Sequence, residues 1–478
     1  MKRLVANLKF VLPITLVVAF ARINRRGVGD LDSWWHVKIG DQIRAGVPFN
    51  DLGKSWSLYA GRWQTSQWLS EILMSLSHQA LGWQGLLWWR LIFGLLLFAV
   101  FVASLTRRNR IPAIVVTSVI SAFVLVPSIQ ERPSLIGLIF IAALGARSSD
   151  MLLQNGMSKS TWLWVPATAL WANLHGSWVL APAALTLACV LALSQIRTRR
   201  FALQSFLLVF SVTVAGCLTP IGWHGLLLPL KLQATAGKFI TEWQRTTLFD
   251  PLVYGLLVLL AILIYTWARG NNRPTGIELL WVLAWTLFAF TAFRNVGPAL
   301  LFIAPIAAHR IDEWFVAAGV SGPAVGKTSS QELRTPAFLI SLFLAIGFAT
   351  ISTSALDPLK GVTPRFIAQR LTHATRDVRI INEYNASGVL LAIGGDRVHL
   401  AVDGRADRFD PNWLARYFAM LKEPNSNYYL LDQLHPNAAV LDEGSPLIWW
   451  LIEDKHWKRV MDDGRYVLLT APTLNLSP

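Results

Sequence analysis

The sequence predicts an α-helical polytopic membrane protein of about eleven spanning helices, followed by a small α/β domain. Three observations predict it: long apolar blocks without charge, basic residues in alternate connections, and a change of composition near residue 357. Only 15% of the 478 residues are charged and 54% are hydrophobic, giving a mean hydropathy of +0.44. One water-soluble core could not hide that much apolar surface.

The blocks at residues 91–106, 111–127, 176–196, 201–223, 251–268 and 335–356 contain no Asp, Glu, Lys or Arg. Shorter blocks lie at 10–21, 133–146, 160–172, 279–293 and 296–308. Short spans are tolerated inside a bundle, where neighbouring helices rather than lipid surround their ends. Met1-Lys2-Arg3 followed by an apolar stretch opens like a signal peptide, but no small-residue cleavage site precedes Arg22, so a retained first helix is expected.

With Met1 in the cytoplasm and one crossing per block, the cytoplasmic connections are 107–110, 147–159, 197–200, 269–273 and 309–334. Each carries Arg or Lys near a helix end, as the positive-inside rule requires. The first outside loop, about 22–84, is also basic, but reversing the chain would expose those separate basic loops instead. The expected location is a bacterial inner membrane, with the N-terminus cytoplasmic and the C-terminus extracytoplasmic. The net charge of +15 then reflects one membrane face rather than nucleic-acid binding. Cys189 and Cys217 lie inside apolar blocks and suggest neither a disulfide framework nor a zinc site.

Residues 1–356 form the expected transmembrane domain and 357–478 an extracytoplasmic α/β domain. In the latter, short apolar runs at 378–381, 388–393, 398–402, 438–441 and 466–470 read as strands, with a helix at 412–421 between them. The segment 321–331, rich in Gly, Ser and Thr, reads as a loop.

This topology carries the polar clusters to one side. They are Gly29-Asp30-Leu31-Asp32-Ser33-Trp34-Trp35-His36, Gln130-Glu131-Arg132-Pro133, Asn173-Leu174-His175-Gly176, Trp223-His224, Phe293-Arg294-Asn295 and Asp403-Gly404-Arg405-Ala406-Asp407. Polar residues at helix ends in a bundle usually line a water-filled cavity or meet a partner. Each cluster also has a plainer reading. Asp30 and Asp32 either share a proton or metal, or cap a helix. Asn173 and His175 either serve a site or join two helices. Trp34 and Trp35 fit an interfacial aromatic belt better than sugar stacking, and His224 an interfacial position. Arg132 and Arg294 either snorkel to water or clasp a phosphate with their planar forks. Asp403, Arg405 and Asp407 read as an ion pair that fixes a turn, in preference to a part in a tail that binds acceptor or covers the cavity. Glu71 and His78 share a face of a helix expected over 65–80, a spacing that speaks mainly of packing.

The order of these features resembles the GT-C superfamily of integral-membrane glycosyltransferases. The resemblance runs through Asp30-Leu31-Asp32-Ser33-Trp34-Trp35-His36 with Gly40, Gln67-Trp68-Leu69, Glu131-Arg132-Pro133, Asn173-Leu174-His175-Gly176, Asn382-Glu383-Tyr384 and Val402-Asp403-Gly404-Arg405-Ala406-Asp407. It is closest to a bacterial subgroup of unassigned substrate. The resemblance implies a GT-C-like fold, a polyprenyl-phosphate-linked sugar donor, a glycan, lipid or protein acceptor, and a first-loop acid at Asp30 or Asp32. That acid serves relatives as a general base or helps hold a divalent metal. Gln67-Trp68-Leu69 stands where a His-Glu-Trp-Leu pattern is expected, so a metal is allowed but not required.

The chemistry expected is transfer of a sugar to an extracytoplasmic hydroxyl in envelope glycan assembly. A carboxylate, Asp30 or Asp32, would take the hydroxyl proton. Arg132 and Arg294 would stabilise the departing phosphate, with His36, Asn173, His175 and His224 as supporting polar groups. The alternatives are a transporter or flippase of a lipid-linked or polar substrate, and a non-catalytic envelope-assembly protein. No internal repeat of the kind many transporters carry is visible.

Overall fold

The computed structural model describes residues 7–153, 156–237, 239–270, 273–320, 327–474 and 476. Met1-Lys2-Arg3 lies outside them. The chain divides into two compact units. The first holds Met1–Arg25, Trp88–Leu228 and Ile240–Leu356; the second holds Arg26–Leu87, Pro229–Phe239 and Asp357–Pro478. The long first loop therefore clusters with the C-terminal domain, which extends beyond residues 357–478.

The first unit is helical, and a helix falls on every apolar block read from the sequence. Among the described residues, six helical stretches are long and apolar enough to cross a membrane: Gln84–Thr106, Ile111–Ser128, Ser134–Leu153, Gly176–Leu193, Pro251–Arg269 and Pro336–Ser354. Shorter helices such as Val11–Ile23, Trp164–Leu174 and Gly276–Ala289 complete the bundle. The helix Val296–Ala317 is its axis, with almost every side chain from Val296 to Asp312 buried. It packs against Ile111–Leu125, Ser134–Leu153, Pro251–Arg269 and Gly276–Ala289. Small residues make this possible. A Cβ on Gly145 would lie 2.4 Å from the Leu301 carbonyl oxygen, so two backbones cross where any side chain would separate them. By contrast, Pro336–Ser354 exposes Phe343, Leu344 and Ile351; apolar residues on the rim of such a bundle face lipid.

Charges inside this unit are paired. Arg310 donates from Nε to Glu278 Oε1 at 3.1 Å and from Nη2 to Glu278 Oε2, joining two helices. Glu278 also closes a capping box with Thr275. Arg90 pairs with Glu131 and donates to Asn24 Oδ1 at 2.9 Å; Asn24 in turn donates to Ser352 and Thr353. Buried charges persist in such a bundle only when partners satisfy them.

The second unit is built on a five-stranded sheet in the order β2-β1-β3-β5-β4: β1 Val378–Asn382, β2 Val398–Leu400, β3 Ala438–Asp442, β4 Lys458–Asp463 and β5 Tyr466–Thr470. The first three are parallel; β5 runs antiparallel to β3 and β4. The first loop covers the β2 edge: Leu400 donates to the Trp56 carbonyl and Leu58 to the Leu400 carbonyl, both at 2.8 Å. An edge paired this way offers no open backbone groups. The run 388–393 is not a strand but part of the helix Ser387–Ile393, and β4 lies where no strand was expected. The helix Pro411–Lys422 matches the expected one. The segment 321–331 is helical over Lys327–Glu332, and its first six residues lie outside the described ones.

Candidate active site

In the second unit the acidic motif starts the helix Ser33–Arg44. Asp30 is buried, and its Oδ1 accepts from the backbone N–H of Asp32 at 2.8 Å and of Ser33 at 3.2 Å. That is a helix-capping role, which satisfies donors that have no partner within the helix. Asp32 is half-buried, and its Oδ1 accepts from Trp35 Nε1 at 3.0 Å. The two acids, equivalent in the sequence, are thus distinct in space. Trp34 and Trp35 are 1% and 4% exposed, so they are core residues and not the interfacial belt expected of them.

His36 is buried on the same helix. Its Nδ1 lies 3.0 Å from Glu71 Oε1, and Gln67 Nε2 lies 3.3 Å from its Nε2. The helix Trp68–Leu81, which carries Glu71, crosses so closely that a Cβ on Gly40 would come within 2.0 Å of the Glu71 carbonyl oxygen. This explains the glycine of the motif. It also supplies an acid where Gln67-Trp68-Leu69 lacked one, four residues further along the chain. His78 stays apart from that pair and packs on Trp83.

The segment Asp403–Asp407 belongs to the same unit. Arg405 is 1% exposed and donates from Nε to Asp403 Oδ1 at 2.9 Å, and from Nη2 to Asp403 Oδ2 at 2.6 Å. It also reaches the carbonyls of Leu52 and Gly53. Burial pushes the Asp403 carboxyl up, but the charge and hydrogen bonds of Arg405, with a smaller pull from Arg408, together hold it below its ordinary range. Asp403 and Arg405 therefore form the expected turn-fixing ion pair. Asp407 is not part of it: its Oδ1 accepts from Trp63 Nε1 at 2.9 Å. Asn382 and Tyr384, from the matching motif on β1, support the segment. Asn382 Nδ2 donates to the Val402 carbonyl and Tyr384 Oη to that of Gly404, both at 2.9 Å.

In the first unit the two predicted phosphate ligands meet on a residue the sequence reading passed over. Arg132 Nη1 lies 2.9 Å from Glu242 Oε2, and Arg294 Nη1 lies 3.5 Å from Glu242 Oε1. The Arg294 guanidinium also sits over the Trp243 ring, 4.2 Å from its centroid. All three charged side chains keep between a fifth and a third of their surface exposed. Burial opposes ionisation of Glu242, yet Arg132 and Arg294, with a smaller pull from His175, lower its pKa to about 2. It is a carboxylate clasped between guanidiniums.

His175 adjoins this cluster electrostatically. Its Nδ1 accepts from the backbone N–H of Ser177 at 3.1 Å and lies 2.7 Å from Ser177 Oγ, which leaves Nε2 as the protonated nitrogen of the neutral ring. A Cβ on Gly137 would lie 2.8 Å from that Nδ1, so glycine is what lets the helix Ser134–Leu153 approach. Asn173 donates to the carbonyls of Ala169 and Leu218, a joint between helix ends. His224 is exposed, stacks on Trp223 and has Nδ1 3.2 Å from the Ile221 carbonyl; these contacts are within its own turn.

The candidate residues thus form two groups, one in each unit: Asp30, Asp32 and His36 in the second, Arg132, Arg294 and His175 in the first. Among the described residues no three His, Cys, Asp or Glu side chains gather as a metal site. The carboxylates near Asp32 are spoken for by N–H donors and Arg405, a poor donor set for a divalent cation.

No protein-family model matches the chain, and no curated protein matches it at a significant level. Solved structures do. The chain is similar to the Archaeoglobus fulgidus oligosaccharyltransferase tethered with an acceptor peptide, with a TM-score of 0.53, 12% identity, and coverage of 91% of this chain and 69% of that one. It is also similar to ArnT from Cupriavidus metallidurans in the apo state, with a TM-score of 0.50, 15% identity and 96% of each chain covered. The protein has the GT-C fold: a mostly helical membrane protein with a small C-terminal sheet region.

Proposed function

We propose that this GT-C-fold protein is a membrane glycosyltransferase that moves a sugar from a polyprenyl-phosphate-linked donor to an acceptor hydroxyl. The setting we propose is extracytoplasmic glycan assembly at a bacterial inner membrane, with the N-terminus cytoplasmic and the C-terminus outside. The observation that carries the reading is the Arg132–Glu242–Arg294 cluster. Two guanidinium forks already hold one oxyanion in a half-exposed place. A lipid phosphate offers the same oxygens with more charge, and fixed positive charge stabilises it as a leaving group.

A hydroxyl is a poor nucleophile at neutral pH and needs a base. Asp32 fits that task better than Asp30, because Asp30 is buried as a helix cap. The acceptor O–H gives its proton to Asp32 while its oxygen bonds to the anomeric carbon. The bond from that carbon to the phosphate oxygen breaks, and the polyprenyl phosphate leaves with the electron pair. A single displacement of this kind inverts the anomeric configuration.

The test is transfer by purified protein in nanodiscs, supplied with a panel of polyprenyl-phosphate sugars. Asp32→Asn is expected to lower turnover by about 10²–10⁴ with folding intact. Asp30→Asn, whose amide oxygen can still accept from the same two N–H groups, is expected to keep both turnover and stability. Full turnover by Asp32→Asn would discard the base assignment.

A further inference from the structure

The segment Ala401–Arg408 is almost wholly buried; only Gly404 and Asp407 reach solvent. The Asp403–Arg405 pair and the arginine's bonds to Leu52 and Gly53 anchor it from behind. Each of its two exposed residues has a defined neighbour. Gly404 abuts the acidic motif so closely that a Cβ there would lie 2.6 Å from Asp32 Oδ1 and 2.2 Å from Trp35 Nε1. Asp407, three residues on, is held by Trp63 Nε1. The two indoles that aim the carboxylates pack edge to face, with centroids 5.9 Å apart.

Asp32 and Asp407 are therefore presented in the same manner. Each is half-buried, each gives Oδ1 to an indole N–H, and the indoles share one wall. Arg405 is hydrogen-bonded to Asp403 rather than to Asp407: its Nε and Nη2 donate to Asp403, and its guanidinium lies over the Trp63 ring, 5.1 Å from the centroid. Burial pushes the Asp407 carboxyl above its ordinary range, against the pull of Trp63 Nε1, Lys231 and Arg405. A carboxylate so placed is a strong hydrogen-bond acceptor for a hydroxyl. The indoles are too buried, at 4% and 8% exposure, to stack a sugar themselves; they orient the acids.

We infer that Asp407 binds the acceptor, taking a hydrogen bond from a second hydroxyl of a polyhydroxylated substrate while Asp32 takes the reacting one. Gly404 is the spacer that lets the two carboxylates be presented together. The inference rests on the glycosyltransferase reading, and deepens it by naming the acceptor class as a diol or polyol.

The experiment uses the full chain in nanodiscs, the polyprenyl-phosphate sugar panel as donor, and two competing acceptors: water and n-octyl β-D-glucoside. Hydrolysis needs only Asp32; transfer to the glucoside uses both acids. Asp407→Asn is expected to raise the KM for octyl glucoside about tenfold or more, and to change hydrolysis to water by no more than about twofold. Trp63→Phe, which removes the aiming N–H and keeps a ring, is expected to give the same split in smaller measure, and serves if Asp407→Asn folds poorly. Gly404→Ala is expected to lower both reactions, because its methyl displaces Asp32. An unchanged glucoside KM in Asp407→Asn and Trp63→Phe would overturn the acceptor assignment and leave the transferase reading standing. So would a wild-type protein that hydrolyses donor but never saturates with octyl glucoside. A wild-type protein that consumes no donor overturns both.

Discussion

The chain contains two arrangements of arginine around carboxylate, and they are opposites. In the second unit Arg405 and Asp403 are 0% and 1% exposed at the side chain, and the guanidinium is saturated by one carboxylate and two carbonyls. In the first unit one carboxylate, Glu242, is shared by two half-exposed arginines, the farther at 3.5 Å. The first is closed: all three guanidinium nitrogens have internal acceptors and both side chains are sealed from solvent. The second is open: both arginines and the glutamate keep part of their surface in solvent. The difference teaches that an arginine's surroundings, rather than its presence in a motif, decide whether it is sealed into the scaffold or left within reach of solvent.

Breaking the closed pair should have the largest effect. Arg405→Ala leaves Asp403 as a buried charge without its partner, a change that costs about 3–5 kcal/mol. Denaturant unfolding of the purified protein should show that loss, and Arg405→Lys should recover little of it, since lysine cannot span both carboxylate oxygens and the two carbonyls. A small loss would show that the segment is anchored by other contacts.

Breaking the open cluster should spare stability and cost activity. Arg132→Ala and Arg294→Ala are each expected to lower donor turnover by about 10²-fold while unfolding changes by about 1 kcal/mol or less. Equal loss of stability in both clusters would erase the distinction.

The smallest effect should have the opposite sign. Glu242→Gln removes the competing anion, so, on the proposed function, a polyprenyl phosphate should bind about tenfold more tightly, as one relieved charge repulsion predicts. The acid behaviour should change too. The Glu242 pKa falls from an ordinary 4.5 to about 2 in the folded protein. A depressed carboxylate contributes stability that is fully present above its unfolded pKa and is lost as pH falls through the folded one. Wild type should therefore lose stability between pH 4.5 and 2 that Glu242→Gln does not lose. Parallel acid unfolding of the two proteins would sharpen or remove the electrostatic account.

Much of the fold was legible because hydropathy is written along the chain. Every apolar block became a helix, and four of the five expected strands were found, since short apolar runs such as those at β1 and β3 fill buried strands. The run 388–393 failed for a known reason: a short apolar run has no length to tell helix from strand, and the close approach of Gly388 to the Leu31 carbonyl belongs to tertiary packing. Strand β4 escaped because it is an exposed, charged edge with a register shift between Arg459 and Met461. In the site, the sequence pointed to Asp30 and Asp32 without ranking them. It missed Glu242, a lone acid in a polar loop, and it read Glu71, four residues from where an acid was expected, as a packing residue. A lone charge carries no sequence signal when its partners lie 110 and 52 positions away.

What the sequence determined by itself was the membrane-embedded class, the helical blocks, the β-rich tail and the residue types available for chemistry, because solvent preference is a property of each segment on its own. What only the tertiary structure decided was which acid caps a helix and which stays half-exposed, which carboxylate each arginine holds, and that Asp407 stands apart from the Arg405 pair. Those are matters of distance and burial. They follow from where the chain returns in space, and electrostatic and hydrogen-bond energies depend on that distance rather than on separation along the chain.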